Sequence, residues 1–354
     1  MPKAIYIVWV NPNLPVFKAV DNLSSFNFVG RFTNLSTLPK TWAPGAYITA
    51  NFIGTYCDVL LNDQNLWGNN LNFIQIIVDD TIILRVRNTG KSNTIRVSST
   101  LTSGTHSIVI CKDTEAGIGY IEFVGLRCQG LVSATALPSH KIECIGNSIT
   151  CGTGSDQSYQ VCSLNPSNGS QWYFQHNAYY SYGARTARVL NAQYHLSSIS
   201  GIGLIKSCCN KTDVISRDFD RLNLDTTGTV WDFNQYIPDV LTICLGQNDG
   251  IQSDSSKFLG AYVTFLLSIR THYPNTQIVL ITSPMANGSL LAQMIKYNAA
   301  VARRMKEIGD NNVSSFAFST TKSWNAGCDT HPSVAQHAEI ASLLTNYIKT
   351  LMNW

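Results

Sequence analysis

Apolar and polar positions change their rhythm once along this 354-residue chain. From Lys3 to about Ser133 the pattern is of short β-type runs broken by turn residues. Phe26–Val29, Ala46–Ile53, Asp58–Leu61, Phe73–Val78, Ile82–Val86, His106–Ile110 and Tyr120–Val124 read as strands. Turns fall at Pro44-Gly45, Asn62-Asp63, Asp79-Asp80 and Ser103-Gly104. Some eight short strands at this spacing, with no helical period, predict a β-sandwich of jelly-roll type.

After Lys141 the pattern becomes strand, helix, strand. Predicted strands are Ile142–Ile145, Tyr194–Ser198, Val240–Leu245, Ile278–Thr282 and Ser315–Phe318. Predicted helices span about Ala178–Leu190, Ser255–His272, Leu290–Ile308 and Ser333–Leu351. The run Val240–Leu245 is continuously apolar, as a strand buried on both faces requires. Alternating strands and helices predict a five-stranded parallel sheet in a three-layer α/β domain. Pattern is lost between Leu131 and His140, which divides the chain into a sandwich at 1–135 and an α/β unit at 136–354.

A parallel sheet gathers the carboxyl ends of its strands on one edge, where sites form. Ser148, Gly201, Asn248 and His331 each follow a different predicted strand. All four are therefore predicted at that edge. A serine hydroxyl becomes a nucleophile when a base takes its proton, and histidine suits that task at neutral pH. Attack on an acyl carbon creates an oxyanion. The backbone N–H groups of Ser148 and Gly201 and the side-chain amide of Asn248 offer three donors for it.

Composition narrows the partner. Charged residues are only 13% of the chain and the net charge is +3, with no basic run, which argues against nucleic acid. Asn, Ser, Thr, Gly and Tyr must cover much of the surface, a composition suited to neutral polymers outside the cell. No stretch approaches the ~18 apolar residues of a membrane helix. The run Ala4–Val10 is too short and β-branched for a signal peptide, so a mature secreted chain is the expectation. Of ten cysteines, Cys144 and Cys244 lie in apolar strands, while Cys151, Cys162 and the pair Cys208-Cys209 lie in loop-like sequence where pairing is open. Cys328 and His331 lack a second ligand pair, so neither metal nor cofactor is expected. Trp172, Trp231 and Trp324 are candidate sugar-stacking rings, with core packing as the alternative.

The blocks Gly146-Asn147-Ser148-Ile149-Thr150, Ser198-Ile199-Ser200-Gly201, Gly246-Gln247-Asn248-Asp249 and Asp329-Thr330-His331-Pro332 resemble, in order, the four motifs of GDSL or SGNH hydrolases. Gly30-Arg31, Trp42-Ala43-Pro44-Gly45, Phe52-Ile53-Gly54-Thr55, Gly104-Thr105-His106 and Lys112-Asp113-Thr114-Glu115 resemble the sandwich of carbohydrate esterase family 2. Lys141-Ile142-Glu143, Trp231-Asp232-Phe233, Pro238-Asp239 and Gly327–Ser333 resemble its catalytic half. The resemblance implies deacetylation of wall polysaccharides such as xylan and mannan, with Ser148 as nucleophile, His331 as base, and Gly201 and Asn248 completing the oxyanion hole. Two positions depart from the SGNH pattern. Asn147 replaces an aspartate before the nucleophile, and Cys328 stands where the triad acid is normally found. Asp329 is a candidate third member; a backbone carbonyl orienting His331 in a dyad is the favoured expectation. An SGNH lipase or thioesterase acting on small acyl esters, and a carbohydrate-binding protein without activity, are the alternatives.

Overall fold

A computed structural model describes residues 13–354 except 34, 69–70, 99–100, 161, 163–170 and 319–320. The run Ala4–Val10 lies outside the described residues. Strands β1 (Val16–Lys18), β2 (Phe26–Val29), β3 (Lys40–Thr41), β4 (Tyr47–Ile53), β5 (Cys57–Asp63) and β6 (Phe73–Val78) come first. They are followed by β7 (Ile82–Arg87), β8 (Ser92–Ser98), β9 (Thr105–Lys112), β10 (Ile121–Arg127) and β11 (Gly130–Val132). One antiparallel sheet runs β1-β10-β5-β8 with β3 beside β10. The other runs β11-β4-β9-β6-β7 with β2 beside β4. Ile48, Phe52, Ile74 and Ile110 of the second sheet share one core with Val59, Leu61, Ile95 and Phe123 of the first. Two sheets enclosing one core make a sandwich. Strand β8 goes unpredicted from sequence. Among the described residues it pairs with β5 alone, and only Ile95 and Val97 interrupt its polar residues.

The second half holds β12 (His140–Gly146), α1 (Ser148–Cys151), α2 (Tyr182–Val189), β13 (Ala192–Ser198), α3 (Ile215–Asp218) and β14 (Val240–Ile243). Then come α4 (Ser255–His272), β15 (Gln277–Ile281), α5 (Gly288–Glu307), β16 (Val313–Phe316) and α6 (Val334–Met352). All five strands are parallel, in the order β13-β12-β14-β15-β16. The chain leaves β12 for β13 on one side and later for β14 on the other. That reversal opens a crevice at their carboxyl ends. Asp254 and Ser333 cap α4 and α6, Ser333 in a capping box with Gln336.

The last strand lies two residues earlier than its apolar pattern predicts. Pairing with β15 starts at Val313, and by Phe318 the backbone N–H donates to the Thr282 hydroxyl instead of a ladder carbonyl. The predicted helix at 178–190 is divided: a 3₁₀ turn at Ala178–Tyr180 ends at Ser181, which becomes the N-cap of α2.

The two halves share a buried seam. Arg31, 1% exposed, meets Glu143 of β12 at 3.2 Å and donates to the carbonyls of Phe219 (2.5 Å) and Arg221 (2.9 Å). The Gly30 N–H donates to His195 Nε2 at 2.9 Å, and the Tyr47 and Tyr194 rings stand 4.8 Å apart.

Candidate active site

Strand β12 ends at Gly146, where a Cβ would stand 2.1 Å from the Thr150 hydroxyl, so the turn into α1 closes only on glycine. Asn147 caps α1, its side-chain oxygen accepting from the Ile149 N–H at 3.2 Å. An amide thus performs the turn-tying task at this position, and Ser148 becomes the first helical residue.

His331 stands in the loop ahead of α6. Its Nε2 lies 2.9 Å from Ser148 Oγ, and its Nδ1 lies 2.8 Å from the backbone carbonyl of Asp329. A carbonyl can only accept, so Nδ1 carries the ring proton and Nε2 keeps a lone pair for the serine hydroxyl. Asp329 itself is exposed and has φ +51°, followed by Thr330 at +56°. Two successive non-glycine residues in the left-handed region point to a loop shaped by its surroundings. Three bonds hold it. Cys328 N–H donates to Gly154 O and Gly327 N–H to His331 O, each at 2.7 Å, and a disulfide joins Cys328 to Cys162. The cysteine at the usual acid position is therefore a clamp on the histidine loop. Cys208 and Cys209 are bonded to each other, and Cys151 is buried in α1 with its thiol donating to the Ser198 hydroxyl at 3.3 Å.

Gly201 (φ +80°) opens the loop after β13 and accepts from the Cys208 N–H at 2.9 Å. The Asn248 side-chain nitrogen donates to Ile202 O at 2.8 Å, which fixes the amide against the Gly201 loop and leaves a second N–H free of that bond. Asp249 was legible in the Gly-Gln-Asn-Asp block but has no role assigned from sequence. It accepts from the N–H groups of Leu204, Ile205 and Lys206 at 2.8–3.1 Å, tying the loop after β14 to the loop after β13. The Thr153 N–H donates to Ser148 O at 3.0 Å, and its hydroxyl lies 2.9 Å from that of Ser200. The loops bearing Ser148, Gly201, Asn248 and His331 are thus cross-linked at one edge of the sheet.

The aromatic candidates separate by exposure. Trp172 is 40% exposed, with its ring centroid 4.3 Å from that of His176. Trp324 (2% exposed) packs on Phe318 and donates its indole N–H to Glu339; Trp231 (4%) lies in the core beside His195. Both of these rings are almost wholly buried. Ser155 and Ser333, flanking the histidine loop, line an open cleft of about 750 Å³ with Gln75, Ile83 and Arg85 of the sandwich.

Burial holds the His331 imidazole below its ordinary value, partly offset by the Asp329 carbonyl that accepts from Nδ1 and by the Asp329 charge. The ring is therefore neutral near pH 7. Removing the Asp329 charge leaves the carbonyl in place. Asp329→Asn, which also tolerates the left-handed backbone, is expected to retain turnover to within about tenfold. A loss of the size produced by removing Ser148 would show that the carboxylate, not the carbonyl, serves the histidine.

Residues 28–138 match the family described as Carbohydrate esterase 2 N-terminal, and residues 144–339 the GDSL-like Lipase/Acylhydrolase family. Over 321 residues the chain is 33% identical to Cellulase/esterase CelE of Acetivibrio thermocellus, covering 89% of this chain but 38% of that protein. An acetylxylan esterase / glucomannan deacetylase of Cellvibrio japonicus is 28% identical over 319 residues, 88% of this chain and 84% of that one. Among solved structures, a family two carbohydrate esterase from Clostridium thermocellum, in complex with cellohexaose, superimposes with a TM-score of 0.82. It is 31% identical, covering 93% of this chain and 99% of that one. A family two carbohydrate esterase from Cellvibrio japonicus gives 0.84 at 25% identity, covering 97% and 99%.

Proposed function

The chain belongs to carbohydrate esterase family 2, and on that premise we propose that it is a secreted serine esterase. It removes O-acetyl groups from plant-cell-wall polysaccharides of the acetylxylan or acetylmannan type. The observation that carries this reading is the pairing of His331 Nε2 with Ser148 Oγ at 2.9 Å while Nδ1 is committed to a carbonyl.

Ser148 Oγ attacks the acetyl carbon as its proton moves to His331 Nε2. The carbonyl oxygen takes up the negative charge, facing the N–H groups of Ser148 and Gly201 and the Asn248 amide. Collapse breaks the bond to the sugar oxygen, which takes the proton from the imidazolium and leaves as a free hydroxyl. Water, deprotonated by His331, then attacks acetyl-Ser148, and acetate departs with Ser148 restored. The imidazolium formed in each half-reaction is stabilised by the Asp329 carbonyl, a partial charge in place of a carboxylate.

Acetate release from acetylated xylan and mannan oligosaccharides, set against hydrolysis of aryl esters of increasing chain length, tests the substrate. Faster turnover of the acetylated sugars and of aryl acetate supports the reading. A preference for long acyl chains points to a lipase, and no hydrolysis of any ester leaves a binding module.

The base must be unprotonated in the free enzyme. Because burial lowers the His331 pKa, the midpoint of the acid limb of kcat/KM is expected to lie below ~6.5. An acid limb centred above that value would contradict the buried, neutral imidazole.

A further inference from the structure

The block Lys112-Asp113-Thr114-Glu115 closes β9 of the sandwich, yet it reaches the catalytic half. Lys112 is fully buried, and its ammonium donates to the backbone carbonyls of Thr114 (2.5 Å) and Glu115 (3.0 Å). The Thr114 hydroxyl donates to the Asn72 side-chain oxygen at 2.5 Å, and Asp113 O accepts from the Ala178 N–H at 3.1 Å. The block is thereby braced within itself, to Asn72 of the sandwich and to the 3₁₀ turn at Ala178 of the catalytic half. Glu115, 2% exposed, extends from this frame, and its Oε2 accepts from the Ser200 N–H at 2.5 Å. Ser200 is the residue before Gly201, and its hydroxyl is held at 2.9 Å by Thr153, whose own N–H donates to Ser148 O. The direction of the Gly201 N–H depends on the peptide plane between Ser200 and Gly201. Ser200 is fixed at its N–H by Glu115 and at its hydroxyl by Thr153.

We propose that Glu115 is a positioning residue for the oxyanion hole: the sandwich supplies, through a carboxylate carried on a backbone that Lys112 braces, the anchor that aims the Gly201 N–H at the reacting carbonyl. This rests on the assignment of Ser148 as nucleophile and Gly201 as oxyanion donor. A buried carboxylate accepting a backbone N–H forms one of the stronger hydrogen bonds available to a loop. Its loss leaves the donor present but loosely aimed, so the penalty is smaller than the ~10²–10³ of deleting a donor outright. The role also accounts for why a module with no acid–base constellation of its own is so closely seamed to the catalytic half.

The test is steady-state kinetics of the full chain on aryl acetate and on acetylated xylo-oligosaccharide, with Ser148→Ala as reference. Glu115→Ala is expected to lower kcat about 10–100-fold with KM within about threefold of wild type. Glu115→Gln, which still offers a carbonyl oxygen to the Ser200 N–H, is expected to restore kcat to within about threefold. Glu115→Asp keeps the charge but withdraws it by one methylene, and it is expected to remain impaired; it serves as the measurement should the alanine variant not fold. Wild-type kcat in the alanine or aspartate variant overturns the proposal. So does a glutamine variant as impaired as alanine, or a rise in KM with kcat unchanged. Activity retained by Ser148→Ala would instead remove the assignment on which the proposal rests.

Discussion

Ser148→Ala is expected to reduce acetyl-ester turnover by about 10⁴–10⁶-fold while leaving the fold intact. In the proposed mechanism this hydroxyl forms the covalent bond, and among the described residues no second nucleophile is paired with His331 Nε2. The substitution leaves the Asn147 cap and the backbone of α1 in place, so the unfolding midpoint should move by no more than a surface change would move it. The variant should still bind acetylated oligosaccharide with an affinity close to wild type, because the candidate oxyanion donors at Gly201 and Asn248 remain. His331→Ala should fall in the same range, and the double variant should be little worse than either single one, since the two act as a unit. Residual turnover within about a hundredfold of wild type would show that another group carries the chemistry.

Arg31→Ala is expected to destabilise the protein by about 3–5 kcal/mol, measured by denaturant titration at fixed pH. The guanidinium is almost completely buried between the halves, and it satisfies Glu143 and the carbonyls of Phe219 and Arg221 together. Glu143 also accepts from the Ser197 hydroxyl at 2.5 Å and from the Tyr273 hydroxyl at 2.9 Å. Deleting the arginine leaves an uncompensated carboxylate in the centre of β12. The double variant Arg31→Met/Glu143→Leu removes both charges and should recover much of the loss. A single-variant change below about 1 kcal/mol would mean that water reaches the seam and solvates the carboxylate.

How much of the site could be read from sequence follows from where each residue acts. Ser148, Gly201, Asn248 and His331 were legible as candidates because each follows a strand of a parallel sheet, whose topology brings the segments after its strands to one edge. Asn147 was legible as a turn residue because its bond reaches only two residues along the chain. Glu115, Asp249 and Cys162 were different. They act on partners 85, 43–45 and 166 residues away, and no periodicity encodes such a distance. The tryptophans show the complementary limit. Trp324 lies seven residues before His331, and its apolar ring suits a core and a sugar platform equally. Packing on Phe318 and a bond to Glu339 place it inside. Strand β8 escaped because a polar strand paired with a single neighbour has little hydrophobic pattern to display.

The sequence by itself determined two kinds of layer. Short β-type runs punctuated by turn residues, without a helical period, specified a sandwich, and alternating strands and helices specified a parallel sheet, since each element must bury its own apolar face. It also determined which edge of that sheet bears the reactive groups. Only the tertiary structure decided how those groups are held. The tautomer of His331 follows from a carbonyl 2.8 Å away, the histidine loop is clamped by Cys162, and a glutamate from the other half of the chain anchors the residue before Gly201. Such contacts depend on ångström-scale distances between segments remote in sequence, and those distances are set when the two cores close on each other.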